Sequence, residues 1–424
     1  MLAKSTAAPL DKRQLLTAFY IAIVAFLTYT SVYAYRKPFT VATFEGINYW
    51  GIRYQTLLII SQGVGYMLSK FFGIKFIAEL KRMGRWKTSL ILVGVAWLSL
   101  LLFAVVPAPY GMICLLVNGF MLGFMWGIVF SYVEGRRTTD FIGAAMAVSF
   151  IFAGGFTRSV AVWIRDTWHV DETWLGFLTG LVFALPLLVF IYLLEKIPLP
   201  DDRDIAERTV RLPMNKESRL VLLHRFGLGL LVLTITYVFL TVMRDIRDNF
   251  MSNMWNELGY GNKPAIYTTT ETITSIAVLA IMSLLVLVKN NFKALQWAHA
   301  VIIAGFLLAG ISSLLFQMNL LNGALWMQLV GMGLYMGYIP FNCILFERLI
   351  ASFKIVGNVG FLIYLADAWG YLGSMSVVLS KEILKVQLNW VSFYSTAVLF
   401  FAVVGVAGTF ISLFYFGKKH KLSK

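Results

Sequence analysis

Thr88–Val106 reads TSLILVGVAWLSLLLFAVV, 19 residues without a charge. At about 1.5 Å per residue such a helix is close to the ~30 Å hydrocarbon thickness of a bilayer. Working outward, the same texture recurs along the chain. Of its 424 residues 59% are hydrophobic and 13% charged, and the mean hydropathy is +0.76. Soluble domains run to about 25% charged and 45–50% apolar, so this chain has more apolar surface than its own core can hide. Lipid leaves unpaired backbone groups no partner, so each crossing must be a helix. Twelve spans are expected, near residues 15–40, 53–79, 88–106, 110–133, 140–163, 174–194, 220–248, 264–288, 294–317, 323–346, 354–380 and 389–416. The first is too long for a signal-peptide core and has no small-residue cleavage site after it, so it is read as a retained helix.

The formal net charge of +15 is read as topology, with no nucleic-acid footprint. Lysines and arginines collect on the cytoplasmic side of membrane proteins. Here Lys4, Lys12, Arg13, Lys81, Arg82, Arg85, Lys87, Arg136, Arg137, Lys418, Lys419, Lys421 and Lys424 fall on one side together with both termini. The opposite side has uncharged turns, Pro107 to Tyr110 and Met318 to Gly323, and the acidic group Asp166, Asp171 and Glu172. The one long polar stretch divides the chain into bundles at 1–195 and 220–424, joined by a cytoplasmic linker at 196–219. Cys114 and Cys343 lie in apolar runs and are read as packing residues. The four histidines are scattered, so neither a disulfide framework nor a metal site is expected. There is no Walker A sequence, dinucleotide fingerprint or catalytic triad, and no cofactor or enzymatic activity is expected.

Two six-helix halves invite a search for a repeat. Tyr29, Tyr33 and Arg36 match Tyr237, Thr241 and Arg244 at a constant offset of 208. The i, i+4, i+7 spacing places each trio on one helix face, so each half presents an arginine with two hydroxyl-bearing side chains below it. Glu134 and Arg136 after span four recur as Glu347 and Arg348 after span ten. Gly119, Gly123 and Gly127 form a small-residue packing face on span four, with Trp126 beside it as a candidate cavity residue.

These features resemble the major facilitator superfamily, which implies an all-α membrane protein of twelve transmembrane helices in two pseudo-symmetric six-helix bundles. Gly84-Arg85-Trp86-Lys87, preceded by Glu79-Leu80-Lys81-Arg82, resembles the tail of that superfamily's loop motif between helices two and three. Tyr29-Thr30-Ser31-Val32-Tyr33-Ala34-Tyr35-Arg36-Lys37-Pro38-Phe39 resembles the first helix of the organophosphate:phosphate antiporters. That resemblance implies that Arg36 and Arg244 hold phosphate, that Lys37 follows Arg36 as that family's lysine does, that Lys70 stands where it has a cavity lysine, and that Glu271 and Asp248 fall beside positions where it carries acidic residues. Arg158 stands where that family carries a histidine, and Thr241 where it carries a tyrosine.

A charge at membrane depth costs at least about 2.5–3.5 kcal/mol, so Arg36, Lys37, Lys70, Arg158, Arg244, Arg247, Glu271 and Asp367 call for a function or a partner. Guanidinium matches phosphate through bidentate, charge-assisted hydrogen bonds. Tyr29, Tyr33, Tyr237 and Thr241 are candidate donors to the ligand. Lys70 with Asp367, and Arg158 with Glu271, are candidate gating pairs, and Asp367, Glu271 and Asp248 are candidate coupling carboxylates. Arg247, Asp245 and Asp248 read as a solvated helix end. The expectation is a monomeric inner-membrane antiporter, both termini cytoplasmic, exchanging a phosphorylated metabolite for inorganic phosphate by alternating access. A proton-coupled carrier of a carboxylate, sugar or cell-wall fragment, and a transporter-like membrane sensor, are the alternatives.

Overall fold

The computed structural model describes residues 12–79, 84–133, 136, 138–200, 204, 216–353, 359–384 and 389–422. Lys4, Lys81, Arg82, Glu134, Arg137, Lys424 and most of the 196–219 linker therefore lie outside the described residues. In the first half, α1 (Lys12–Tyr33), α2 (Tyr54–Glu79) and α3 (Arg85–Val105) precede a fourth span made of α4 (Gly111–Leu122) and α5 (Met125–Val133). α6 (Thr139–Trp168) and α7 (Leu175–Glu195) complete it. The second half begins with α8 (Lys216–Asn249), the short α9 (Met251–Glu257), α10 (Ala265–Val286) and α11 (Asn291–Gln317). Its tenth span joins α12 (Gly323–Cys343) to α13 (Leu345–Ser352) through a 45° bend, and α14 (Val359–Ile383) and α15 (Trp390–Leu422) end the chain.

Among the described residues, nine helices and the bent pair are long and apolar enough to cross a bilayer. The remaining two spans, α2 and α14, carry Lys70 and Asp367 and complete the twelve. Apolar side chains left exposed along α3, α7 and α15, among them Ile91, Leu185 and Phe414, mark lipid-facing stripes.

Helix pairing repeats between the halves. α1 packs on α6 and α7, as α8 packs on α14 and α15; α3 packs on α4 and α7, as α11 packs on α12 and α15. The bundles meet where α6 lies against α10 and where α2 lies against α14. Gly155 makes the first of these seams close: a Cβ there would sit 2.3 Å from the Tyr267 carbonyl oxygen. On the face opposite the chain termini, the loop after α1 forms a 3-10 turn (Pro38–Val41) and a two-stranded hairpin, β1 (Asn48–Tyr49) with β2 (Ile52–Arg53).

The first helix departs from the expected 15–40 span by ending at Tyr33. From there the backbone tightens into a turn in which the amides of Ala34, Tyr35 and Arg36 bond to carbonyls three residues back. Pro38 supplies the reason. It has no N–H to bond the Ala34 carbonyl four residues back, and in a regular helix its ring would clash with that carbonyl. The matching stretch of α8 has no proline and runs unbroken through Arg244 to Asn249.

Candidate functional site

A cavity of about 60 Å³ lies between the bundles, lined from the first half by Tyr29, Tyr33, Arg36, Lys37, Lys70 and Trp126. From the second half come Arg244, Asp245, Asp248, Tyr338 and Asp367. The volume matches about two water molecules at liquid density, so this conformation is a constricted one. Four cations, Arg36, Lys37, Lys70 and Arg244, face three carboxylates, Asp245, Asp248 and Asp367. The wall is therefore cationic by one charge.

The two arginines differ in how they are balanced. Arg244 pairs with Asp245 at 2.6 Å and lies over the Tyr338 ring, 4.1 Å from its centroid. Arg36 lies 3.8 Å from the Tyr66 ring centroid, its Nε makes no hydrogen bond, and no carboxylate among the described residues pairs with it. An aromatic face attracts a cation but does not cancel its charge. Arg36 is the cation left to an external anion.

Two residues that sequence reading passed over fix Arg36 in place. Asn118, fully buried on α4, donates to the carbonyls of Tyr35 and Ala96, each at 3.0 Å. Gln62 on α2 donates to Asn118 Oδ1 at 2.8 Å and to the Arg36 carbonyl at 3.0 Å. The turn after Tyr33 leaves carbonyls without helical partners, and these amides satisfy them. Gly119 allows the approach, since a Cβ there would sit 2.0 Å from the Gln62 carbonyl oxygen. The signal was present: an amide inside an apolar span must find a partner within the protein.

The side opposite the termini is tied shut by charge. Asp248 on α8 meets Lys37 through one carboxylate oxygen and Arg158 on α6 through the other, the latter at 2.8 Å. Lys37 also donates to Asn249 at 2.8 Å, and Arg158 to Thr40 at 3.0 Å. Both cations come from the first half and the carboxylate from the second, so the cluster spans the seam. Beside it, Gln55 donates to Asn253, and Thr268 donates to Ser159, which bonds the Pro264 carbonyl.

This arrangement corrects several expectations. Arg158 and Glu271 do not pair with each other: Arg158 grips Asp248, while Glu271 accepts from Arg247 at 2.6 Å with both side chains almost fully buried. Arg247, Asp245 and Asp248 do not form a solvated helix end: Arg247 is buried inside the second bundle on Glu271 and the Met327 carbonyl, Asp245 pairs with Arg244 in the cavity wall, and Asp248 lies in the seam. Thr241 does not line the cavity. Its hydroxyl bonds the Tyr237 carbonyl one turn back, and it presses on Gly370 of α14. Tyr237 stacks on Tyr338 and hydrogen-bonds Asp367, standing behind the wall. Lys70 lies over the Tyr66 ring at 4.6 Å. Trp126 meets Tyr29 edge-on, 5.1 Å between centroids. The Arg85 of the loop motif, first residue of α3, donates to the Ser131 carbonyl at 3.0 Å, tying the start of α3 to the fourth span.

A family model described as a family of unknown function, DUF5690, matches residues 38–419. The chain belongs to this family. No curated protein matches it in sequence. Solved structures resemble it over nearly their whole length. The nucleoside transporter NupG shares 14% identity over 94% of this chain and 99% of that one, with a TM-score of 0.59. A POT family transporter in complex with a thioalcohol-conjugated peptide shares 12% over 96% of each chain, at 0.61. A D-xylose-proton symporter shares 15% over 93% and 97%, also at 0.61. This DUF5690 member therefore has the major facilitator fold, twelve helices in two pseudo-symmetric bundles. The likeness of its first helix to the organophosphate:phosphate antiporters stays a resemblance in sequence.

Proposed function

We propose that the protein is a secondary transporter that moves a small organic anion across the plasma (inner) membrane as a monomer, with both termini cytoplasmic. The reading rests on one observation: Arg36 and Arg244, from matching positions of the two bundles, line one cavity, and Arg36 has no carboxylate of its own among the described residues. An anion bridging the two guanidiniums relieves the repulsion between the bundles, so loaded protein passes through the constricted state more readily than unloaded protein. Lys37 carries the event to the far face, because it lines the cavity and also grips Asp248. An anion that draws Lys37 away loosens the seam. The cargo this chemistry fits best is a phosphorylated metabolite, exchanged for inorganic phosphate.

A second reading has its own support. Asp367 lies in the same cavity, hydrogen-bonded to Tyr237, where a carboxylate titrates as access alternates; a D-xylose-proton symporter shares the fold. Counterflow in proteoliposomes separates the two. Exchange that persists without a proton gradient and requires internal phosphate supports the first, and uptake that collapses with the gradient supports the second. Arg36→Lys and Arg244→Lys retain charge and lose the planar fork. Phosphate exchange should fall in both, and unimpaired exchange in both overturns the clamp.

A further inference from the structure

A second cavity, of about 310 Å³, opens at the seam on the face opposite the chain termini. It is separate from the first in its walls, which come from residues 43–55 of the first half and from Asn253, Asn256, Glu257 and Trp390 of the second. Its size is at the lower end of small-molecule pockets, about 300–1,000 Å³. The chemistry of the lining is unlike that of the central cavity. Gln55 offers its amide oxygen, its N–H groups being given to the Ala42 carbonyl and to Asn253, while Asn253 adds an amide donor and Asn256 both donor and acceptor. The pocket's cation, Arg53, lies 4.9 Å over the Trp390 ring and faces two carboxylates in the lining, Glu45, which is exposed, and Glu257, which accepts from the backbone amides of Trp390 and Val391 at 2.9 and 2.8 Å. Trp390 is 2% exposed, and its indole N–H has no acceptor among the described residues. Side-chain amides, a buried indole donor in need of an oxygen and an excess of carboxylate over cation fit a neutral, hydroxyl-rich ligand better than an anion.

The hairpin beside this pocket adds a further feature. Trp50 is 75% exposed and adopts φ +55 in the β1–β2 turn, a left-handed conformation that bulky residues rarely take. Its indole is held out from the protein on the same face, an apolar ring beside a polar cleft. We propose that this pocket is a second ligand site for a neutral polyhydroxy compound of mono- or disaccharide size, and that its occupant, touching both bundles, holds this face closed. The binding claim stands on the pocket alone; the closure claim rests on the alternating-access reading.

The test uses the full chain in lipid nanodiscs and a panel of neutral sugars, glucose, galactose, trehalose and lactose, with inorganic phosphate as the anionic probe. Calorimetry should detect at least one sugar in the wild type and in Arg36→Ala. Binding should weaken about tenfold in Asn256→Leu, in line with the loss of one or two hydrogen bonds. Asn256 is exposed, so its replacement leaves the fold intact. Failure of every sugar to bind overturns the proposal. So does sugar binding that Arg36→Ala abolishes and Asn256→Leu spares, since that places the sugar in the central cavity. Hydrogen exchange of residues 36–41, outside the pocket walls, reads closure. Slower exchange with bound sugar is the expected result. Binding with unchanged exchange there overturns the closure claim, and counterflow of phosphate then shows separately whether the transport reading survives.

Discussion

The trio Tyr29, Tyr33, Arg36 and its counterpart Tyr237, Thr241, Arg244 begin from one spacing and arrive at different chemistry. In the first half both tyrosines and the arginine face the cavity, and among the described residues the guanidinium meets aromatic rings and no carboxylate. In the second half the tyrosine bonds Asp367, the threonine is spent on helix packing, and the arginine carries its own carboxylate. The backbone contributes to the difference. A proline two residues after Arg36 ends α1 early and turns the arginine on an amide-braced loop, whereas Arg244 rides a continuous helix. Sequence symmetry in such a protein fixes where charges enter the interior; their immediate neighbours decide which of them is available to a ligand.

The largest expected effect separates the two arginines by stability. Arg244→Ala strands Asp245 in the interior and should cost about 3–5 kcal/mol, while Arg36→Ala forfeits a cation–π contact of about 1 kcal/mol. Thermal unfolding of the purified protein reads both, and equal losses break the comparison. Asp245→Asn makes the second half resemble the first, so phosphate should bind about tenfold more tightly by titration; unchanged or weaker affinity shows that Asp245 does not hold Arg244 back. Asn118→Leu takes the donor from the Tyr35 carbonyl and an acceptor from the Gln62 amide, while Ala96 keeps the Ser99 hydroxyl, for an expected cost of about 1–3 kcal/mol. Counterflow should drop with it while the Arg244 side of the site stays intact. Smallest is Thr241→Val, expected to stay within about 0.5 kcal/mol in stability and to leave exchange unchanged. Tyr33→Phe, which removes a cavity hydroxyl, should slow exchange measurably, and the reverse ranking of these two variants contradicts the asymmetry.

Much of the fold was legible because the bilayer imposes a single-helix solution on each apolar run. The runs ending in charged loops give the spans, and the 208-residue offset gives the pair of arginines. What resisted reading is choice of partner. Arg158 has Glu271 and Asp248 within the same register of helices, and only the crossing of α6 over α8 and α10 gives it Asp248 and leaves Glu271 to Arg247. Helical spacing also misdirected the reading of Thr241, since facing the same side of a helix does not distinguish a cavity from a neighbouring glycine. Asn118 and Gln62 were readable in principle as amides in apolar spans, yet their target, a backbone carbonyl released by Pro38, exists only once the first helix has ended.

The most direct test of the central claim is equilibrium binding of radiolabelled inorganic phosphate to the full chain in nanodiscs, comparing the wild type with Arg36→Gln. Saturable binding that disappears in the variant, with unfolding temperature retained, is the result expected of a guanidinium reserved for an anion. Undiminished phosphate binding in Arg36→Gln would contradict it.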